Sequence, residues 1–159
     1  MNDILTYEDS PETFQALGGG KAANMARLSR NGFRVPPWFC VSTLAFRRFV
    51  ERNGFQDELV REQDPGPLSR RAEELFLAGE MPDELMDRIF QKLQELFMQD
   101  RFLAIRSSGT DEDAPDHSFA GQLSSYLFQK GPDAVERSLR RCWASGFSER
   151  ALVYRREQG

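Results

Sequence analysis

Apolar residues recur at helical spacing over most of the chain, and this periodicity is the strongest constraint on its fold. The clearest case follows Pro82, where Asp83 and Glu84 precede a stripe of apolar side chains. The stripe comprises Leu85, Ile89, Leu93, Leu96 and Phe97. Acidic residues in the first turn stabilise a helix, because they interact with the positive end of its dipole. The pattern therefore predicts an amphipathic helix that buries one face in the core.

Three glycines, Gly18 to Gly20, interrupt the chain before a run of helix-forming residues. Asn31-Gly32 is typical of a helix end, so the pattern predicts a helix between these two stops. Lys21 is therefore expected in the first turn of that helix. The next segment, RVPPWFCVS, contains two prolines that exclude a helix, followed by a short run that predicts a strand.

A second helix is predicted after this strand. Ser42 or Thr43 can cap it, and Asn53-Gly54 is expected to end it. The polar stretch Gly54 to Gly66 is interpreted as a surface connection to further helices.

The C-terminal half combines two strand patterns with two helices. RFLAIRSS, residues 101–108, predicts a buried strand, and FAGQLSSYLF predicts two short strands or a hairpin. Ser148 is expected to cap the last helix. The apolar stripe of the helix before it comprises Val135, Leu139, Cys142 and Trp143. The order of elements predicts an α+β or mixed α/β fold with helices packed on a small sheet.

Charge and cysteine usage exclude several classes of function. A formal net charge of −4 provides no basic surface for nucleic acid, so any bound anion must be held locally. No apolar run approaches the roughly 20 residues of a membrane span, and the N-terminus lacks the basic region of a signal peptide. Cys40 and Cys142 lack partners at metal-ligand spacing and are interpreted as buried free thiols. A cytoplasmic protein without nucleic-acid or membrane partners is predicted.

The stretch GGGKAAN superficially resembles a phosphate-binding loop. A Walker A motif would place a glycine at Gln15 and a hydroxyl at Ala22, and the dinucleotide fingerprint would place a glycine at Ala23. Both motifs are therefore excluded. Two interpretations stay open, namely an anion site at a helix start beside Lys21 and a simple capping turn.

Arg106 ends an apolar run and precedes a cluster of acidic residues in AIRSSGTDEDAPDHSFAGQ. Its guanidinium either holds phosphate oxygens or anchors the acidic loop. Asp116 stands where an EF-hand would require glycine, so no metal site is assigned. His117, the only histidine, is interpreted as a solvated turn residue.

Three blocks of the chain resemble the N-terminal nucleotide-binding region of the phosphoenolpyruvate synthase and pyruvate phosphate dikinase family, which includes rifampicin phosphotransferase. They are GGKAANMARLSRNGFRVPPWFCVST, AIRSSGTDEDAPDHSFAGQLSSYL and CWASGFSERALVYRREQG. The family patterns are G-G-K-x-A, R-S-S-A-T-x-E-D and F-A-G-Q followed by a hydroxyl. Gly109 replaces the usual alanine of the second pattern, and Ser125 replaces a threonine in the third.

The resemblance implies an ATP-grasp type fold in which Lys21 and Arg106 contact ATP phosphates. Gly121, Gln122 and Ser125 would belong to a glycine hairpin that covers them. Residues 1–159 would form a single domain, the first half of the ATP-binding region. The Mg²⁺ ligands, the phosphoryl-accepting histidine and the acceptor domain are expected in the remainder of the polypeptide, so no catalytic residue is assigned to this chain.

The implied function of the parent protein is ATP-dependent phosphotransfer, through an enzyme histidine, to an acceptor. Pyruvate is the first choice of acceptor and rifampicin the alternative, and the 159-residue chain alone is expected to be inactive. A second class of function stays open, in which the chain is a non-catalytic interaction module that keeps the fold. That hypothesis predicts that Lys21 and Arg106 can be replaced without loss of function.

Overall fold

Helices make up most of the fold. The computed structural model describes residues 2–109 and 124–158, and the strand backbone of residues 113–114 and 117–118. The helices there are α1 Pro11–Leu17, α2 Gly19–Arg30, α3 Thr43–Asn53, α4 Gln56–Arg61, α5 Pro65–Ala78, α6 Asp83–Glu95, α7 Pro132–Ser145 and α8 Glu149–Gln158. The strands are β1 Ile4–Leu5, β2 Cys40–Val41, β3 Leu103–Arg106, β4 Asp113–Ala114, β5 His117–Ser118 and β6 Ser125–Gln129. The predicted α+β class is confirmed.

In the described part of the chain the strands pair as antiparallel ribbons of two. β1 pairs with β2, β4 with β5, and β3 with β6. In the β3–β6 ribbon a register irregularity between Leu103 and Ile105 precedes the pair formed by Arg106 and Ser125. Two of the predicted site residues therefore lie directly opposite each other.

The larger hydrophobic core is built from α3, α5, α6 and α7. Phe49 and Phe76 are fully buried there, and their rings meet edge to face with centroids 5.8 Å apart. Trp143 of α7 packs on Phe49, with ring centroids 5.0 Å apart. A smaller core joins β1, α1 and α2 and consists of Leu5, Phe14, Ala22 and Ala26. It fixes the inner face of α2, the helix that carries Lys21.

Two segments differ from their predictions. Gly54 to Gly66 is not a plain connection, because it contains α4 and the beginning of α5. The strand predicted over residues 101–108 is limited to β3, in which burial alternates so that Ala104 and Arg106 are exposed. Only one face of this ribbon packs on the core, whereas the apolar run predicts burial on both.

Phe97 does not belong to the buried stripe of α6, although Leu85, Ile89 and Leu93 do. Its side chain is 78% exposed and its φ is 55°. The amides of Phe97 and Met98 donate to carbonyls of the last turn of α6. This is a Schellman C-cap, whose left-handed position usually holds glycine.

A buried carboxylate near the N-terminus ties the first strand to two helices. Asp3 forms ion pairs with Arg48 of α3 at 2.8 Å and with Arg88 of α6 at 2.5 Å. Ser42 precedes α3, but it does not cap the helix with its side chain. Its hydroxyl donates instead to the carbonyl of Asn2 at 2.6 Å.

The C-terminal helices agree with their predictions. Val135, Leu139 and Cys142 of α7 are buried, and the Ser148 hydroxyl accepts from the amide of Ala151 at 3.3 Å as the expected cap of α8. Over the described ranges, no helix has the length and apolar character needed to cross a bilayer.

Candidate functional site

The first turn of α2 packs against the loop that follows β3. Gly18 stands at the N-cap and offers no side-chain acceptor to the helix. Ser108 supplies one from the loop, because its hydroxyl accepts from the amide of Ala22 at 3.1 Å. Lys21 Nζ lies 3.5 Å from the carbonyl oxygen of Ser107. The helix start and the end of β3 are thereby held together.

Gly19 allows this close approach. Its φ is 75°, and a Cβ added there would lie 2.5 Å from the carbonyl oxygens of both Ser108 and Gly109. A contact that short between heavy atoms is sterically excluded, and the positive φ is itself unfavourable for any residue with a side chain. The structure thus gives a physical reason for part of the glycine run.

Arg106 occupies the last position of β3 and is exposed. Its guanidinium makes no hydrogen bond or ion pair with the residues that the structure describes. The sequence predicts a buried strand here, and a buried guanidinium would need an internal partner, whereas the exposed Arg106 does not. Anchoring of the acidic loop by Arg106 stays a prediction, because Asp111 and Glu112 lie outside the described residues.

The start of β6 is joined to the same loop. The carbonyl oxygen of Ser124 accepts from both the amide and the hydroxyl of Ser107, each at 3.2 Å. Ser124 precedes Ser125, which pairs with Arg106. Lys21, Arg106 and Ser125 therefore lie on three adjoining segments, whereas the predicted positions Gly121 and Gln122 lie outside the described residues.

The thiols of Cys40 and Cys142 lie close to the start of α2. Burial raises the pKa of Cys142 to about 12, and the nearby charge of Lys21 lowers it in part. Burial also raises the pKa of Cys40 to about 12, and its thiol donates to the carbonyl of Gly18 at 3.7 Å. Both are free cysteines, as predicted, although Cys40 is only partly buried by surface area. They are neutral packing groups at neutral pH.

The chemistry available here is the binding of an anion. An ammonium, an exposed guanidinium and the N-terminus of a 12-residue helix lie on adjoining segments, and each favours negative charge. Among the residues that the structure describes, no three acidic, histidine or cysteine side chains gather to hold a metal ion.

Sequence reasoning missed the contacts that the serines make. Ser107 and Ser108 belong to the R-S-S pattern, but their bonds to Ser124 and to Ala22 join residues far apart in the chain. The two adjacent hydroxyls after Arg106 were the available signal, since serine side chains often satisfy backbone amides at helix starts.

Comparison with known proteins identifies the family. Residues 15–159 match the model of the pyruvate phosphate dikinase AMP/ATP-binding domain. The chain is 34% identical to a rifampicin phosphotransferase of Bacillus subtilis, over 98% of the chain and 19% of that protein. It is 39% identical to a rifampicin phosphotransferase of Streptomyces sviceus, with the same coverage of 98% and 19%.

Relatives with another name match equally broadly. The chain is 37% identical to a probable phosphoenolpyruvate synthase of Staphylothermus marinus, over 98% of the chain and 20% of that protein. The chain thus spans about a fifth of the length of these curated relatives. Its mixed helices and small sheets agree with the expected ATP-grasp type fold. The chain belongs to the family of pyruvate phosphate dikinase AMP/ATP-binding domains.

Proposed function

We propose that this chain binds the triphosphate of ATP between the first turn of α2 and the adjoining ends of β3 and β6. The observation that carries the proposal is the docking of the α2 start on the loop after β3, through Ala22 and Ser108. That contact places the segment bearing Lys21 beside the segment bearing Arg106. Membership in a family of AMP/ATP-binding domains supports ATP as the ligand.

The roles of the two cations differ. Lys21 presents a compact charge at the helix start, whereas Arg106 presents a planar fork suited to two phosphate oxygens. The exposure of Arg106 leaves its guanidinium accessible to a ligand. Gly121, Gln122 and Ser125 are proposed, from the family resemblance, to cover the phosphates.

The proposed parent activity is transfer of a phosphoryl group from ATP, through a histidine outside this chain, to an acceptor. Relatives named phosphoenolpyruvate synthase support pyruvate as that acceptor. Relatives named rifampicin phosphotransferase support the alternative equally. Mg²⁺ ligands are expected in the remainder of the polypeptide, so the chain alone is expected to bind ATP weakly and to turn over little of it.

Calorimetric titration with Mg-ATP tests the binding site. We expect weak binding by the unchanged chain and about tenfold weaker binding in Lys21→Ala and in Arg106→Ala, because each removes a charge-assisted contact. Arg61→Ala is the matched control, since it removes an exposed positive charge from α4. Its affinity should equal that of the unchanged chain.

Two results would contradict the proposal. Equal affinity in all four proteins would show that Lys21 and Arg106 do not contribute to ATP binding. It would favour the hypothesis of a non-catalytic interaction module. No binding by the unchanged chain would show that this half does not hold the triphosphate alone. The acceptor is tested separately, by supplying the full-length parent with ATP and either pyruvate or rifampicin and identifying the phosphorylated product.

A further inference from the structure

Helix α7 contacts β6 and the residue directly before it through three side chains that share one helix face. These side chains stand three and four positions apart along the helix, as neighbours on one face do. The pairs are Ser138 Oγ with Gln129 Oε1 at 2.9 Å, the Arg141 guanidinium with the Tyr126 ring at 5.7 Å, and Ser145 Oγ with Ser124 N at 3.4 Å. Together they determine where β6 lies along α7.

The last of these pairs is part of a directed chain of hydrogen bonds. The Ser145 hydroxyl donates to the carbonyl of Cys142 at 2.7 Å, so its oxygen is oriented to accept from the amide of Ser124. On its other side, the Ser124 carbonyl accepts from Ser107. Ser124 is therefore held between α7 and the loop after β3.

Both ends of this series of hydrogen bonds lie next to residues of the candidate site. Ser107 follows Arg106 directly, and Ser124 precedes Ser125 directly. The same last turn of α7 also carries Cys142, which lies within reach of the charge of Lys21. The last turn of α7 is thus linked to all three segments of the proposed ATP site, namely the start of α2, the end of β3 and the start of β6.

We propose that Ser145 is a positioning residue for the phosphate site, which holds the start of β6 and, through Ser107, the end of β3. It contacts backbone and not the nucleotide. The inference rests on the proposed binding of ATP at this site. It assigns to α7 a role in affinity that neither the glycine run nor the R-S-S pattern indicates.

The test compares three variants of the chain. Ser145→Ala removes the hydroxyl that bonds to Cys142 and Ser124, and Ser145→Thr keeps a hydroxyl there. Ser138→Ala removes the hydrogen bond to Gln129 on the same helix face. Calorimetry should give about fivefold weaker Mg-ATP binding in Ser145→Ala, the typical effect of one hydrogen bond. Ser145→Thr should restore most of the affinity, and Ser138→Ala should not weaken it.

Backbone hydrogen exchange without nucleotide provides an independent measurement. The amides of Ser124 and Ser107 should exchange faster in Ser145→Ala than in the unchanged chain. Their exchange rates should be unaltered in Ser138→Ala. If the unchanged chain fails to bind Mg-ATP, the proposed function fails, and exchange alone decides whether Ser145 positions these segments. Unaltered exchange in Ser145→Ala, or equal loss of affinity in Ser145→Ala and Ser138→Ala, would overturn the inference.

Discussion

Gly19 and Gly109 are packed so closely that a single added carbon would not fit between them. A Cβ at Gly19 would lie 2.5 Å from the carbonyl oxygen of Gly109. The contact joins the start of α2 to the loop after β3, and these two segments carry Lys21 and Arg106. The steric limit at Gly19 is therefore also a limit on the geometry of the proposed phosphate site.

Replacement of Gly19 by alanine should separate these two segments. Gly32→Ala is a matched control, because Gly32 has a φ of 77° but open space around its Cβ position. The control should lower the free energy of unfolding by about 1 kcal/mol from backbone strain alone. Gly19→Ala should lower it further and also weaken Mg-ATP binding. Equal unfolding midpoints in urea would contradict the steric argument.

Replacement of Phe97 by glycine should stabilise the protein. Phe97 and Gly54 occupy the left-handed position of the same type of C-cap, with φ values of 55° and 67°. Because the Phe97 side chain is largely exposed, its removal costs little packing, whereas relief of strain is worth about 1 kcal/mol. The reverse change, Gly54→Ala, should destabilise by a similar amount. Chemical unfolding of both variants provides the measurement, and a destabilised Phe97→Gly would contradict the prediction.

The buried carboxylate of Asp3 should contribute strongly to stability. Asp3→Asn would leave Arg48 and Arg88 beside a neutral side chain, and breaking a buried ion pair costs about 3 kcal/mol or more. Glu58→Gln breaks the exposed pair with Arg71 and should cost at most about 1 kcal/mol. Urea unfolding curves of the two variants test this difference. Similar losses in both would show that burial of Asp3 does not raise its contribution.

Because the pKa values of its two thiols are raised, the protein should lose stability at high pH. Burial raises the pKa of Cys40 and of Cys142 from 9.0 to about 12, so the folded state favours the protonated form of each. Their contribution is complete below pH 9 and is lost as the pH rises towards 12. The unfolding free energy of the double variant Cys40→Ala and Cys142→Ala should therefore fall less steeply over this interval. Parallel pH profiles would contradict the assigned pKa shifts.

Local sequence determined much of the helical structure. Gly18 and Asn31-Gly32 bound α2, which begins at Gly19, two residues earlier than the glycine run predicts. The spacing of apolar residues identified the buried faces of α6 and α7, because this signal acts within one or two turns. Lys21 accordingly lies in the first turn of α2, as predicted. The three motif blocks together also indicated the family, which the comparison confirms.

The tertiary structure alone decided which residues these elements bring together. The periodicity of α6 extends through Phe97, but the chain turns there and leaves that ring in solvent. Asp3 resembles a surface acid until Arg48 and Arg88 approach it from two helices. The assembly of the site has the same origin, because the hydrogen bonds that the Ala22 amide donates to Ser108 and the Ser124 amide donates to Ser145 join residues distant in the chain. A local pattern records helix and strand preferences, whereas such contacts depend on how the completed elements pack.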